Sequence, residues 1–104
     1  MMIPIDIDRI DDVIHGRVRL GIMTYLANAD TADFNELKAA LNTTQGNLSI
    51  HLTKLEEAGY ISITKSFLGR RPNTRMRLTR AGRRAFADYL KVLSELVEKT
   101  AKGG

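Results

Sequence analysis

Thr43-Thr44-Gln45-Gly46-Asn47-Leu48-Ser49-Ile50-His51-Leu52-Thr53-Lys54-Leu55-Glu56-Glu57-Ala58-Gly59-Tyr60 is the stretch that decides how this chain is read. It is one short helix with two unlike faces. Leu48, Leu52 and Leu55 recur at i, i+4 and i+7 and share one side. Thr43 or Thr44 serves as N-cap, because a hydroxyl there accepts a free backbone N–H of the first turn. Gly59 provides the left-handed residue on which many helices end. The side opposite the leucines carries Gly46, Asn47, Ser49, Ile50, Thr53 and Lys54. A face of small and hydrogen-bonding residues suits a DNA major groove, which presents donors, acceptors and thymine methyls. An ordinary amphipathic helix with a solvated side has the same pattern, so the flanking sequence must discriminate.

Downstream, the period changes. Ile61 and Ile63 alternate with Ser62 and Thr64, which predicts a strand over Tyr60 to Ser66. Phe67 to Asn73 contains Leu-Gly-Arg-Arg-Pro-Asn, a turn-rich basic loop. Thr74 to Leu78 alternates again, with Met76 and Leu78 inward and Arg75 and Arg77 outward. The result is a β-hairpin with a basic tip. Thr79 then caps a long helix to about Lys99, in which Phe86, Tyr89, Leu90, Leu93, Leu96 and Val97 keep 3–4 spacing. Lys102 to Gly104 is expected to fray.

Upstream, Asp33 caps a helix from Phe34 to Leu41, with Glu36 placed to complete a capping box. Asn42 to Thr44 is a tight turn between this helix and the quoted one, giving helix-turn-helix. Asn28 to Ala32 reads as a polar connection. A helix from Arg17 to Asn28 has Val18, Ile22, Tyr25 and Leu26 on one face and Leu20, Met23 and Ala27 nearly opposite. A helix apolar on two sides needs two partners, and in so small a chain a second subunit is the natural candidate. A short acidic helical turn is expected from Asp8 to His15, weakened or bent at Gly16. Residues 1–8 are expected to be extended or frayed, since Pro4 disfavours helix before it.

The chain has 104 residues, enough for one domain with a modest core. Its apolar fraction of 43% and charged fraction of 27% are those of a soluble globular protein. Without cysteine there is no disulfide framework and no thiolate metal site, as suits a reducing cytoplasm. The apolar runs are too short for a bilayer span, and the N-terminus lacks the basic start of a signal peptide. The net charge of +4 is unevenly spread. Residues 1–42 carry −3, residues 43–84 carry +7, and residues 85–104 are neutral. A positive block beginning at the quoted helix is the footprint of a polyanion binder, although a solvated basic face gives the same clustering.

Helix, helix-turn-helix, basic hairpin and long helix make an α+β, mostly α, winged-helix plan. The chain resembles the small winged-helix transcriptional regulators of the ArsR/MarR type found in bacteria and archaea. The resemblance is carried by Gly46 to Ile61, by Gly69-Arg70-Arg71-Pro72 and by Leu78-Thr79-Arg80-Ala81-Gly82-Arg83, with Arg19 to Met23 like the first helix of such proteins. It covers about residues 15–93, within a single domain of residues 1–104.

The resemblance implies a cytoplasmic, nucleoid-associated prokaryotic protein that binds double-stranded DNA as a homodimer, with helix 44–58 in the major groove and wing 67–74 at the minor groove. It implies that Thr43, Thr44, Gln45, Gly46, Asn47, Ser49, Ile50, Thr53 and Lys54 face DNA. Gln45 and Asn47 suit adenine, Ser49 suits either kind of edge, and the threonines suit a phosphate beside free N–H groups. Ile50 departs from the polar or basic residue often found there. It fits either contact with a thymine methyl or weaker base readout. Arg70 and Arg71 are expected at the minor groove, with Lys65, Arg75 and Arg77 along the phosphates. His51 is expected at the core boundary rather than on DNA.

Residues 80–100 are expected to pair two chains through Tyr89, Leu93, Leu96 and Val97, together with Leu20 and Met23 of the first helix. The rival is a last helix that folds back over its own chain. Catalysis finds no nucleophile elbow or phosphate loop, and no cofactor or catalytic residue is expected. His15 with Asp11 and Asp12 is a poor metal set and reads better as a solvated helix end. Other readings of a winged helix are a protein-interaction module and an RNA binder.

Overall fold

The three leucines of the quoted helix all lie in the core, and the rest of the molecule is built on them. In the computed structural model, which describes residues 2–103, Leu48, Leu52 and Leu55 are buried. They meet Ile22, Met23 and Leu26 of the first helix and Leu37 of the second in one apolar cluster. The elements run α1 (Arg17–Ala29), β1 (Thr31–Asp33), α2 (Phe34–Leu41), α3 (Gln45–Glu57), β2 (Ile61–Leu68), β3 (Arg71–Leu78) and α4 (Arg80–Gly103). Gly104 lies outside the described residues, as does Met1.

Local chemistry sets the helix ends. Asp33 Oδ1 accepts from the Glu36 N–H at 2.8 Å while the Asp33 N–H reaches Glu36 Oε1 at 3.5 Å, so the capping box on α2 is complete. Asn42 takes the left-handed conformation that turns α2 into α3. Thr44, not Thr43, caps α3, its hydroxyl accepting from the Asn47 N–H at 3.1 Å. At the far end the Tyr60 N–H bonds the Leu55 carbonyl and the Gly59 N–H bonds the Glu56 carbonyl, which is a Schellman ending.

The sheet has order β1-β3-β2, antiparallel throughout. Ile61 pairs with Leu78 and Ile63 with Met76, and their side of the hairpin closes the core. Thr31 and Ala32, expected within a polar connection, instead form with the capping Asp33 a third strand on β3, Ala32 being buried opposite Met76. Three residues are too few to display a strand period. The hairpin is also longer than the sequence pattern implies. Pairing continues to Leu68 and Arg71, leaving Gly69 and Arg70 as a two-residue turn. Gly69 has φ +66° while Arg70 stays at negative φ, the arrangement of a type II′ turn, which asks for glycine first.

No helix forms from Asp8 to His15. A 3-10 turn covers Ile7–Arg9, and Asp11 Oδ1 then accepts from the Val13 and Ile14 N–H groups at 2.8 and 3.2 Å. An aspartate that satisfies nearby backbone donors itself competes with the helix. The turn buries Ile14 completely, and Gly16 is extended before α1 begins.

The last helix starts in a tight joint. Thr79 Oγ1 donates to the Gly59 carbonyl at 2.6 Å and accepts from the Gly82 N–H at 2.9 Å. Phe86, Tyr89 and Val92 seat the first half of α4 on the domain. The second half projects: the molecule measures 64 × 26 × 21 Å, and a helix of 24 residues accounts for about 36 Å of the long axis.

Candidate nucleic-acid interface

Burying the α3 leucines turns the other side of that helix to solvent. Gln45, Gly46, Asn47, Ser49, Ile50, Thr53 and Lys54 are exposed, as is Thr44; Thr43 is half-buried. The Thr53 hydroxyl donates to the Ser49 carbonyl at 2.9 Å and so is partly used within the helix. Among the described residues no intramolecular hydrogen bond holds the side chains of Gln45, Asn47, Ser49 or Lys54, which leaves their donors and acceptors available. Ile50 is 55% exposed, an isolated apolar group on a polar face.

The wing stands beside this helix. A groove of about 440 Å³ runs between them, lined by residues 33–35 at the start of α2, Gln45 and Ser49 of α3, and Pro72, Asn73 and Thr74 of β3. Strand period fixes which wing residues share the groove side. Lys65, Phe67, Pro72 and Thr74 continue the face that carries Ile61, Ile63, Met76 and Leu78. Arg71, Arg75 and Arg77 lie on the opposite face, and Arg70 occupies the turn. The five cations of the hairpin are therefore divided between two faces and the tip. Arg75 also donates to Thr31 Oγ1 at 2.8 Å, tying β3 to β1.

Charge remains uncompensated across the block. Two ion pairs occur among the described residues, Arg9 with Glu95 at 2.6 Å and Arg83 with Asp30 at 3.6 Å. Lys54, Lys65, Arg70, Arg71, Arg75 and Arg77 have no carboxylate partner there. From Ala58 to Ala87 the sequence has no Asp or Glu at all.

Two long-range contacts tie α3 and the segment just after it to α1 and the turn before α1. Arg19 of α1 reaches the Val13 and Asp12 carbonyls and sets Nη1 2.9 Å from His51 Nδ1. A guanidinium only donates, so His51 Nδ1 accepts and the ring is neutral. Burial, with Arg19 and then Lys54 nearby, lowers the His51 pKa. His51 is thus occupied at the α1–α3 joint. Asp11 Oδ2 accepts from the Tyr60 hydroxyl at 2.6 Å, and this bond pushes the Tyr60 pKa up to about 12. His15 Nδ1 lies 2.7 Å from the Tyr89 hydroxyl. Asp11 and His15, two of the three residues considered as a metal set, are engaged by these tyrosines, and among the described residues no three His, Asp or Glu side chains converge.

The surface expected to pair two chains needs correction. Met23 is fully buried, Tyr89 is 2% exposed and Leu20 is half-buried against the same core. α1 is packed by α2, α3, β1, β3 and α4, and Leu20, Met23 and Ala27 join the same core as Val18, Ile22, Tyr25 and Leu26, so both of its apolar faces lie inside its own domain. What stays open is the distal part of α4, where Leu93, Leu96 and Val97 with Thr100 and Ala101 border an apolar depression of about 500 Å³. Exposed Leu90 lies on the same helix. No helix among the described residues is long and apolar enough to cross a membrane.

Known proteins share this geometry. Residues 18–97 match the family described as the winged helix DNA-binding domain. The uncharacterized protein MJ0432 of Methanocaldococcus jannaschii is 38% identical over 84 residues, covering 81% of this chain and 91% of that protein. A transcriptional regulator homologue from Pyrococcus horikoshii OT3 superposes with a TM-score of 0.80 at 30% identity, covering 85% of this chain and 87% of its own. A MarR-family transcriptional regulator from Silicibacter pomeroyi shares the fold, with a TM-score of 0.61 at 20% identity over 86% of this chain and 57% of that one. The winged-helix plan read from Gly46–Ile61, the hairpin and Leu78–Arg83 therefore holds, and the chain belongs to the winged helix DNA-binding domain family.

Proposed function

We propose that this chain is a sequence-specific duplex-DNA-binding regulator that works as a homodimer and represses transcription by occluding promoter DNA. The observation that carries the reading is the exposed polar face of α3, its side chains unpaired, inside a surface whose cations lack carboxylate partners. Gln45, Asn47 and Ser49 read base edges in the major groove. The N-terminus of α3, with Thr43 and Thr44, takes a phosphate. Arg70 enters or follows the minor groove, and Lys65 and Arg71 sit over the sugar–phosphate strands.

One such domain contacts few base pairs, and two-fold pairing doubles the contacts while imposing a palindrome. Leu93, Leu96 and Val97 on the projecting half of α4 supply the pairing surface, since soluble monomers rarely leave so continuous an apolar patch open. The recognition helices then sit one helical turn apart, about 34–36 Å, or a multiple of it. Selection from random duplex DNA tests the reading. A recovered palindrome supports it. Failure to enrich any duplex at low salt, or preferential enrichment of RNA, overturns it.

A further inference from the structure

We propose that the wing tip is an apolar wedge: Phe67, assisted by Leu68, enters the minor groove and partly unstacks a base step, so that the protein bends the DNA it binds. This rests on the DNA-binding reading above and adds a mode of recognition to it. Phe67 is 71% and Leu68 66% exposed, consecutive residues on opposite faces of the hairpin tip, whereas Ile61, Met76 and Leu78 nearer its base are buried. Nothing in the fold needs them there, since the core closes at Ile63 and Met76. The two-residue turn makes the tip narrow, and Gly69 carries no side chain in front of it.

The surroundings select the partner. The wedge is ringed by Lys65, Arg70 and Arg71, with no carboxylate between Ala58 and Ala87. An apolar tip in a cationic collar matches a groove whose floor is stacked bases and whose walls are phosphates. Phenylalanine and leucine are among the side chains that minor-groove proteins insert between base steps, kinking the duplex toward the major groove. Phe67 lies on the same face as Pro72 and Thr74, which line the groove beside α3, so its ring is on the side that α3 shares. Strand addition by a second copy is disfavoured on the open edge of β3 near the tip, where Pro72 lacks the amide donor it would use. Specificity would then include steps that unstack easily, TA and CA/TG, at positions the recognition helix never touches.

The test uses the full chain and the duplex recovered by selection. One version carries 2-aminopurine at the base steps outside the α3 contacts, and another carries a donor–acceptor dye pair at its ends. Wild-type protein should raise 2-aminopurine emission severalfold and shorten the end-to-end distance. The Phe67→Ser, Leu68→Ser double variant should still bind, yet return both signals to the free-duplex values. Phe67→Tyr should retain them. Wild-type binding without unstacking or bending overturns the wedge and leaves the DNA reading intact. So does a double variant that bends DNA as wild type does. Absence of any duplex binding overturns both. Anionic vesicles of phosphatidylserine in phosphatidylcholine provide the remaining arm: if only vesicle binding depends on Phe67 and Leu68, the tip is a membrane contact and the wedge is wrong.

Discussion

The carbonyl oxygen of Tyr60 occupies the space that a Cβ on Gly82 would need. This contact locks the first turn of α4 onto the start of β2, beside the bond from Thr79 to Gly59. It explains why Thr79 and Gly82 stand three residues apart in the Leu-Thr-Arg-Ala-Gly stretch. Gly82→Ala forces backbone apart where no side chain can yield. It should cost about 2–3 kcal/mol, at the upper end for overpacking, and lower the urea midpoint without changing the slope.

Tyr60 makes a second joint, through its hydroxyl to Asp11. Its pKa stands at about 12 in the folded chain against an ordinary 10.0. Between those values the folded state holds a proton that the unfolded state has lost. The stabilisation is therefore complete below about pH 10 and lost as pH rises towards 12. Tyr60→Phe should remove this alkaline step and cost about 1–3 kcal/mol at neutral pH, as for a hydrogen bond to a charged group. Denaturant midpoints of both proteins from pH 8 to 11.5 check it.

On the acid side the sensitive group is His51. Burial and Arg19, with Lys54 behind them, lower its pKa, so the unfolded chain takes up this proton first. The neutral ring's contribution is complete above about pH 6.5 and lost as pH falls through the depressed folded value. His51→Gln, which keeps an acceptor for Arg19 and cannot titrate, should flatten the fall in stability between pH 7 and 5 relative to wild type. Thermal midpoints across that range decide it, and equal slopes for the two proteins would remove His51 as the cause.

Reader and wing should separate experimentally. Arg70→Ala with Arg71→Ala should weaken duplex binding and reduce the salt slope by at least about 1, for the phosphate contact of Arg71. Asn47→Ala or Ser49→Ala should leave the slope alone and relax sequence preference by about 1–3 kcal/mol per base contact. Binding isotherms at several salt concentrations on selected and scrambled duplexes distinguish the two classes.

Pairing of chains is expected to depend on the distal part of α4. Leu93→Glu with Leu96→Glu should yield a folded monomer with much weakened binding to a palindromic site, because Phe86, Tyr89 and Val92 still seat the helix. Sedimentation at micromolar concentration is the check. A wild-type mass that does not rise with concentration would refute the dimer.

Most of the domain is legible in residue order because its signals are local. The leucine spacing of α3, the Asp33–Glu36 box and the alternation of Ile61, Ile63, Met76 and Leu78 each need only a few consecutive residues to show their period or their cap. The polar face of α3 and the positive block from Thr43 to Arg84 are equally local, which is why Gln45, Asn47, Ser49, Arg70 and Arg71 stand as candidates from residue order alone. Tertiary packing alone decided the rest. Leu20, Met23 and Tyr89 look like pairing surface by helical period, yet α1 is wrapped on more than one side and they lie against its own core. β1 exists because β3 offers it an edge, not because three residues prefer strand. Arg19, Asp11 and His15 owe their roles to partners 32, 49 and 74 residues away. Periodicity tells which side of an element is apolar. Only the packed chain determines what covers that side, since the free energy of burial is the same whichever segment displaces the water.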